Sequence, residues 1–226
     1  MSDTCHIGLL LFPQVTQLDL TGPAQVLSRV PGARLHLVWK DTAPVMTDAG
    51  FSINPTTVFA DCPQLDELCV PGGFGILPLL QDTETLAFLR CQAAGARYVT
   101  SVCNGALVLG AAGLLQGYRS ACHWRWRRYL PQFGAIPVAE RIVRDRNRIS
   151  GGGVTAGIDF ALVLAAELTG GEAAKTIQLA LEYDPQAPFD CGTPERAGVE
   201  RVAAYEARLQ ARMATAEEAI GRAALV

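Results

Sequence analysis

Residues Cys5–Phe12 read CHIGLLLF and stop at Pro13. A short, almost unbroken apolar run closed by a breaker is what a strand buried on both faces requires. The unit recurs. Arg34–Lys40 alternates as a strand, Asp66–Val70 is stopped by Pro71-Gly72-Gly73, and Arg97–Val102 is a further run. Stretches of helical spacing lie between and after these runs: Gly22–Arg29 with Pro23 in its first turn, Thr83–Ala94 ending at Gly95, Asn104–Leu115, Thr155–Leu168 and Ala173–Tyr183. Strand and helix in alternation predict an α/β fold, a mainly parallel sheet with helices on both faces. Ligands in such sheets sit beyond the carboxyl ends of the strands. Within Ile136–Ile149, two alternating runs around Asp145-Arg146-Asn147 predict a hairpin.

The chain has 226 residues, the length of one large domain, so a single domain over 1–226 is expected. Hydrophobic residues are 50% and charged residues 18%, which excludes a disordered chain. The net charge of −3 disfavours a module that lives on phosphate contacts, and no helix-turn-helix pair is found, so no nucleic-acid partner is expected. No apolar run reaches the ~18–20 residues of a spanning helix, and MSDTCHIG lacks the pattern of a signal peptide. No membrane partner and a cytoplasmic location follow as expectations. Val202, Leu209, Met213, Ala216 and Ile220 predict a helix over about 196–224, packed on its own domain or contributing to a dimer contact.

The seven cysteines are irregularly spaced and form no CxxC pair, so no metal site is expected. Cys103 differs from the other six in its surroundings. In Tyr98–Leu115 (YVTSVCNGALVLGAAGLL) a strand ends at Val102 and helical periodicity starts almost at once. That is the layout of an elbow, in which a sharp turn exposes a nucleophile over the sheet. A helix N-terminus there would favour the thiolate and lower the thiol pKa. The bland alternative is a structural cysteine at a strand end.

Three other segments bear on the choice. Asp19 lies between Leu18 and Leu20, where desolvation should raise its pKa and let it exchange a proton with a nearby thiol, unless it only caps the following helix. Gly72 and Gly73 follow a strand and could leave amides free to stabilise charge on a substrate. Ser150–Gly157 (SGGGVTAG) places Gly152 and Val154 before a helix, as a pocket wall or as a tight connection. His6 and His36 fall in strands, as core or sheet-edge residues. His123 in SACHWRW could orient a Cys103 thiolate, and Trp124 and Trp126 could line a pocket or pack the core.

Taken together, LLFPQVTQLDLTGP (Leu10–Pro23), CVPGGFG (Cys69–Gly75), YVTSVCNGALVLGAAGLLQG (Tyr98–Gly117), GAIPV (Gly134–Val138), SGGGVTAGIDFAL (Ser150–Leu162) and QLALEYDPQAPFDCGTP (Gln178–Pro194) resemble the DJ-1/PfpI superfamily. Within it they are most similar to the bacterial isocyanide hydratases, and SVC-x-G is shared with the ligand-binding half of some AraC-type regulators. The resemblance implies a flavodoxin-like homodimer with its site near the subunit interface, Cys103 as nucleophile and Asp19 as partner acid. It implies hydration of an isocyanide by water to an N-substituted formamide through a thioimidate on Cys103, with no cofactor. The backbone amides of Gly73 and Asn104 would stabilise charge, and Phe74, Val154 and Trp124 would receive an apolar tail. The helix beginning near Val154 would loosen once the thiolate is alkylated. Asn104 stands where Thr is expected of that group. The alternatives are a glyoxalase-like cysteine hydrolase acting on small carbonyl compounds and a non-enzymatic thiol redox sensor.

Overall fold

A computed structural model describes residues 4–225; residues 1–3 and 226, the ends of the expected 1–226 domain, lie outside the described residues. The central sheet has seven strands: β1 (Cys5–Leu10), β2 (Ala33–Trp39), β3 (Thr57–Val58), β4 (Glu67–Val70), β5 (Tyr98–Val102), β6 (Ile142–Asp145) and β7 (Arg148–Gly151). Their spatial order is β6-β7-β5-β4-β1-β2-β3. Every neighbouring pair is parallel except β6 with β7, the expected hairpin. β1 is central, with Ile7, Leu9 and Leu10 fully buried, and this explains its apolar run.

Beside two single turns at Ile76–Leu79 and Pro194–Ala197, the helices are α1 (Gln17–Leu27), α2 (Thr83–Gly95), α3 (Gly105–Ala111), α4 (Ala156–Thr169), α5 (Gly171–Ala180) and α6 (Val199–Ala223). α1 packs on α4 and α4 on α5, while α2 packs on α3. Gly22 and Gly157 let α1 and α4 approach: a Cβ on Gly157 would lie 3.2 Å from Pro23 Cδ, and one on Gly22 would lie 3.3 Å from Ile158 Cγ1. α6 buries Met213, Ala216, Ala219, Ile220 and Ala223 but leaves most of its first half exposed. Among the described residues, no helix is long and apolar enough to cross a membrane.

Two boundaries differ from the sequence expectation. α1 begins at Gln17, not Gly22, so Asp19 falls in its first turn and Pro23 lies inside the helix. The reason is a distant carboxylate: Asp48 accepts from the Thr16 hydroxyl at 2.7 Å and from the Gln17 N–H at 3.2 Å, so it satisfies the helix start. α3 ends at Ala111 instead of Leu115, because the chain turns into a left-handed Gly113 (φ 76°).

One buried acid sits inside this framework. Glu67 on β4 has no exposed surface; its Oε1 accepts from the Thr100 hydroxyl at 2.6 Å and its Oε2 has no partner among the described residues. Burial raises its pKa to about 8, against the opposing pull of the Thr100 hydroxyl. The unfolded chain ionises this group near 4.5 and the folded chain near 8. Between those values only the unfolded state releases the proton, so the group's contribution to stability falls as pH rises. Glu67→Gln is therefore expected to gain stability relative to the parent across that window, by on the order of 5 kcal/mol at its alkaline end. Thermal unfolding of both proteins at acidic and alkaline pH checks this, and a difference independent of pH would contradict it.

Candidate active site

The carboxyl ends of β4 and β5 bring the segments together. Cys103 follows the last residue of β5 and adopts φ 59°, in the left-handed region. A side chain held there costs about 1–3 kcal/mol and persists only where its surroundings fix it. Three contacts fix it here. Its N–H donates to Gly151 O at 3.1 Å, its carbonyl accepts from His123 N–H at 3.3 Å, and Gly105 packs α3 hard against the end of β4. A Cβ on Gly105 would lie 2.6 Å from Pro71 O.

Asp19 has no exposed surface. Its Oδ2 accepts from Gly72 N–H at 3.0 Å, and its Oδ1 has no hydrogen-bond partner of regular geometry among the described residues. The carboxyl and the Cys103 thiol are neighbours, and each bears on the other's ionisation. Asn104 carries the opposite wall: its Oδ1 accepts from Gly73 N–H at 2.8 Å and its Nδ2 donates to Gly73 O at 3.2 Å. Gly72 lies between the two, where a Cβ would come within 2.8 Å of Cys103 Cβ and 2.9 Å of Asn104 N.

This geometry corrects the expectation that Gly72 and Gly73 leave amides free for a substrate. Asp19 takes one of those N–H groups and the Asn104 side chain takes the other. The Asn104 N–H, which faces the sulfur, remains as a donor to developing charge. The Asn104 side chain also has a role that spacing did not reveal, since it grips both polar groups of the Gly73 peptide.

The expected fall in the thiol pKa is corrected too. Cys103 is only 6% exposed. Burial pushes its thiol well up, the Asp19 carboxylate and Cys122 push further, and the Asn104 N–H pulls only partly back. The helix that was to stabilise the thiolate has only seven residues, and desolvation outweighs its field. Asp19 behaves as the sequence predicts: burial raises it to about 7 against the Gly72 N–H and the thiol. Two acids in contact away from water do not both ionise, so above about pH 7 the pair carries one negative charge and one proton, and below it both protons.

The remaining residues are distributed as follows. His123 meets Cys103 through its backbone, while its ring is pushed down to about 4 by burial, Arg127 and Arg125. A neutral ring supplies no cation to a thiolate. His123, Trp124, Gly152 and Val154 line a cavity of about 430 Å³ beside the elbow. Phe74 does not line it: its ring packs edge-on to Trp126 at 5.3 Å, under the Arg212 guanidinium at 3.7 Å. Sequence reasoning missed Arg127 on the cavity wall, and adjacency to SACHW was its only signal. His6 and His36 are hydrogen-bonded to each other at 3.0 Å, well away in sequence from these segments. Among the described residues no group of three or more His, Cys, Asp or Glu could hold a metal.

Asn104→Ala is expected to strand the Gly73 N–H and cost about 1–3 kcal/mol. A urea unfolding curve measures this, and an unchanged midpoint would remove the grip from the account.

Comparisons with known proteins follow the same outline. Residues 6–167 match the DJ-1/PfpI family profile. The isonitrile hydratase of Pseudomonas putida is 60% identical over 192 residues, covering 85% of this chain and 84% of that protein. An HTH-type transcriptional regulator of Pseudomonas aeruginosa is 30% identical over 79% of this chain, which spans only 50% of the regulator. Among solved structures, a ThiJ/PfpI family protein from Pseudomonas syringae is 45% identical, with a TM-score of 0.92 over 98% of this chain and 92% of that one. DJ-1beta of Drosophila melanogaster shares the fold at 22% identity, with a TM-score of 0.71 over 80% of this chain and all of that one. With the elbow cysteine, its buried acid and this breadth of similarity, the chain belongs to the DJ-1/PfpI family.

Proposed function

We propose that this protein hydrates isocyanides, R–N≡C, to N-substituted formamides, with Cys103 as nucleophile and Asp19 as the acid and base. The observation that carries the reading is the buried Asp19 carboxyl beside the Cys103 thiol, on a chain 60% identical to an isonitrile hydratase. The terminal carbon of an isocyanide must accept both a soft nucleophile and a proton, and this pair holds one of each.

The steps balance without a further reagent. Cys103 Sγ bonds to the terminal carbon, and the shared proton ends on that same carbon through Asp19. The product is a thioimidate, S–CH=N–R, with Asp19 ionised. Water adds to the carbon while the Asp19 carboxylate takes its proton and passes it to nitrogen. Cleavage of the C–S bond releases R–NH–CHO, and the remaining hydroxyl proton returns to the pair. The Asn104 N–H steadies charge on the sulfur throughout.

Two rivals fit less well. A cysteine–histidine hydrolase needs a base at the thiol, and His123 presents its backbone there and a ring held neutral at pH 7. A redox sensor needs an exposed, low-pKa thiol, and Cys103 is buried with its thiol pushed up. One domain, a homodimer and a cytoplasmic location complete the reading. The exposed apolar residues Leu179, Phe189 and Val199, at 80%, 77% and 84% exposure, are apolar surface that a second subunit would cover.

Incubation with an aryl isocyanide is expected to give formamide absorbance and a transient Cys103 adduct in the intact mass. Cys103→Ala is expected to give neither, and formamide production by that variant would overturn the mechanism. The pH profile of kcat/KM is expected to rise through a limb near the Asp19 value of about 7. In Asp19→Asn the thiol must ionise alone, so the limb is expected to move to higher pH. The rate at neutral pH should fall by roughly 10²–10⁴-fold. A limb still near 7 in the variant would assign it to another group.

A further inference from the structure

α6 reaches the catalytic end of the sheet although it lies outside residues 6–167, the part that the family profile matches. Its last turns are anchored by Met213, Ala216, Ala219, Ile220 and Ala223, all buried. The rest of the helix is largely exposed, yet it carries two side chains that each hold a segment of the site.

The first is Glu206. Arg125 is buried, with 7% of its side chain exposed, and its Nε lies 2.6 Å from Glu206 Oε2, an ion pair without a regular hydrogen-bond angle. A guanidinium that deep needs a counter-charge, so this pair fixes where Arg125 sits. Arg125 belongs to a tight turn: its N–H donates to His123 Nδ1 at 3.3 Å, and the Trp126 N–H donates to His123 O at 2.8 Å. The His123 N–H in turn donates to the Cys103 carbonyl at 3.3 Å and helps hold the left-handed conformation of the nucleophile. Glu206 is thus linked to the Cys103 backbone by a continuous run of contacts.

The second is Arg212. Its guanidinium lies 3.7 Å over the Phe74 ring, and that ring meets Trp126 at 5.3 Å. Phe74 follows Gly72 and Gly73, whose N–H groups are held by Asp19 and Asn104. The turn Ile76–Leu79, just beyond Phe74, also packs on α6. Beside Glu206, the Tyr205 ring meets that of Trp124, with centres 5.6 Å apart. Burial raises the Tyr205 phenol and charge on Cys103 raises it further, so α6 lies within electrostatic range of the sulfur.

Resting on the hydration reading above, we propose that α6 is a brace for the catalytic pair. Glu206 is a positioning residue acting on Cys103 through Arg125 and His123, and Arg212 acts on the Gly72–Phe74 loop through the Phe74 ring. Without Glu206 the Arg125 guanidinium turns toward water and draws its turn with it. Cys103 then loses a backbone restraint, and its sulfur leaves both its burial and the Asp19 carboxyl. α6 keeps its apolar anchorage, so the fold persists.

Turnover of an aryl isocyanide and alkylation of Cys103 by iodoacetamide, read on the Cys103 peptide by mass, test this together. In Glu206→Gln, kcat is expected to fall by about tenfold or more while KM stays within about threefold. Alkylation of Cys103 is expected to become faster, its pH profile moving down toward that of an ordinary thiol as burial is relieved. Glu206→Asp, which keeps the charge, is expected to recover part of kcat. Arg212→Gln is expected to act in the same direction as Glu206→Gln but less, and Arg212→Lys less still. Glu217→Gln, which breaks the exposed ion pair of the same helix with Arg128 at 2.7 Å, is expected to change neither readout. A Glu206→Gln protein within about twofold of the parent in both readouts, a change confined to KM, or equal changes in Glu217→Gln would overturn the proposal. If alkylation responds as expected while neither parent nor variant turns over an isocyanide, the brace stands and the hydration reading falls. If parent and Glu206→Gln turn over the isocyanide with equal kcat, the brace falls and the hydration reading stands.

Discussion

A carboxyl and a thiol pressed together away from water are the constraint around which the rest of this protein is arranged. Burial raises both groups' cost of ionising and the carboxylate raises the thiol's further, so above about pH 7 they hold one charge between them. An isolated buried carboxylate would be destabilising, and an isolated buried thiol would be inert. Joined, they offer a nucleophile and a proton in one place. The surrounding hydrogen bonds orient the pair: Gly72 N–H fixes one Asp19 oxygen and leaves the other next to sulfur, while Asn104 N–H favours charge on sulfur.

Holding that pair in place takes close backbone approach. Cys103 sits in a left-handed conformation, and Gly72 and Gly105 are the positions where a side chain would collide with its neighbours. The Asn104 side chain then ties the Gly73 peptide to the start of α3. The amide offers its acceptor and its donor on separate atoms, so both polar groups of that peptide are met at once.

Much of this was legible in the chain. Apolar runs closed by Pro and Gly gave the buried parallel strands, because both faces of β1 are covered. The jump from strand to helical spacing at Val102 located the elbow, and Leu18 and Leu20 around Asp19 announced a desolvated acid. What stayed hidden depended on distant partners. α1 starts early because Asp48 reaches its end from another loop. The Gly72 and Gly73 amides looked available because their acceptors, Asp19 and Asn104, are 53 and 31 residues away. The rise in the thiol pKa stayed hidden because local sequence shows a helix start but not how deeply the sulfur is buried. Phe74 is drawn from the pocket by Trp126 and Arg212, which no short-range pattern relates to it.

The most direct measurement is the infrared carbonyl band of protonated Asp19, taken as the difference between the parent protein and Asp19→Asn across a pH series. The band is expected to persist well above the usual carboxylate range, to fall to half near pH 7, and to change when Cys103 is alkylated. Loss of the band at the pH where an ordinary aspartate ionises, or a band indifferent to the state of Cys103, would contradict the shared proton.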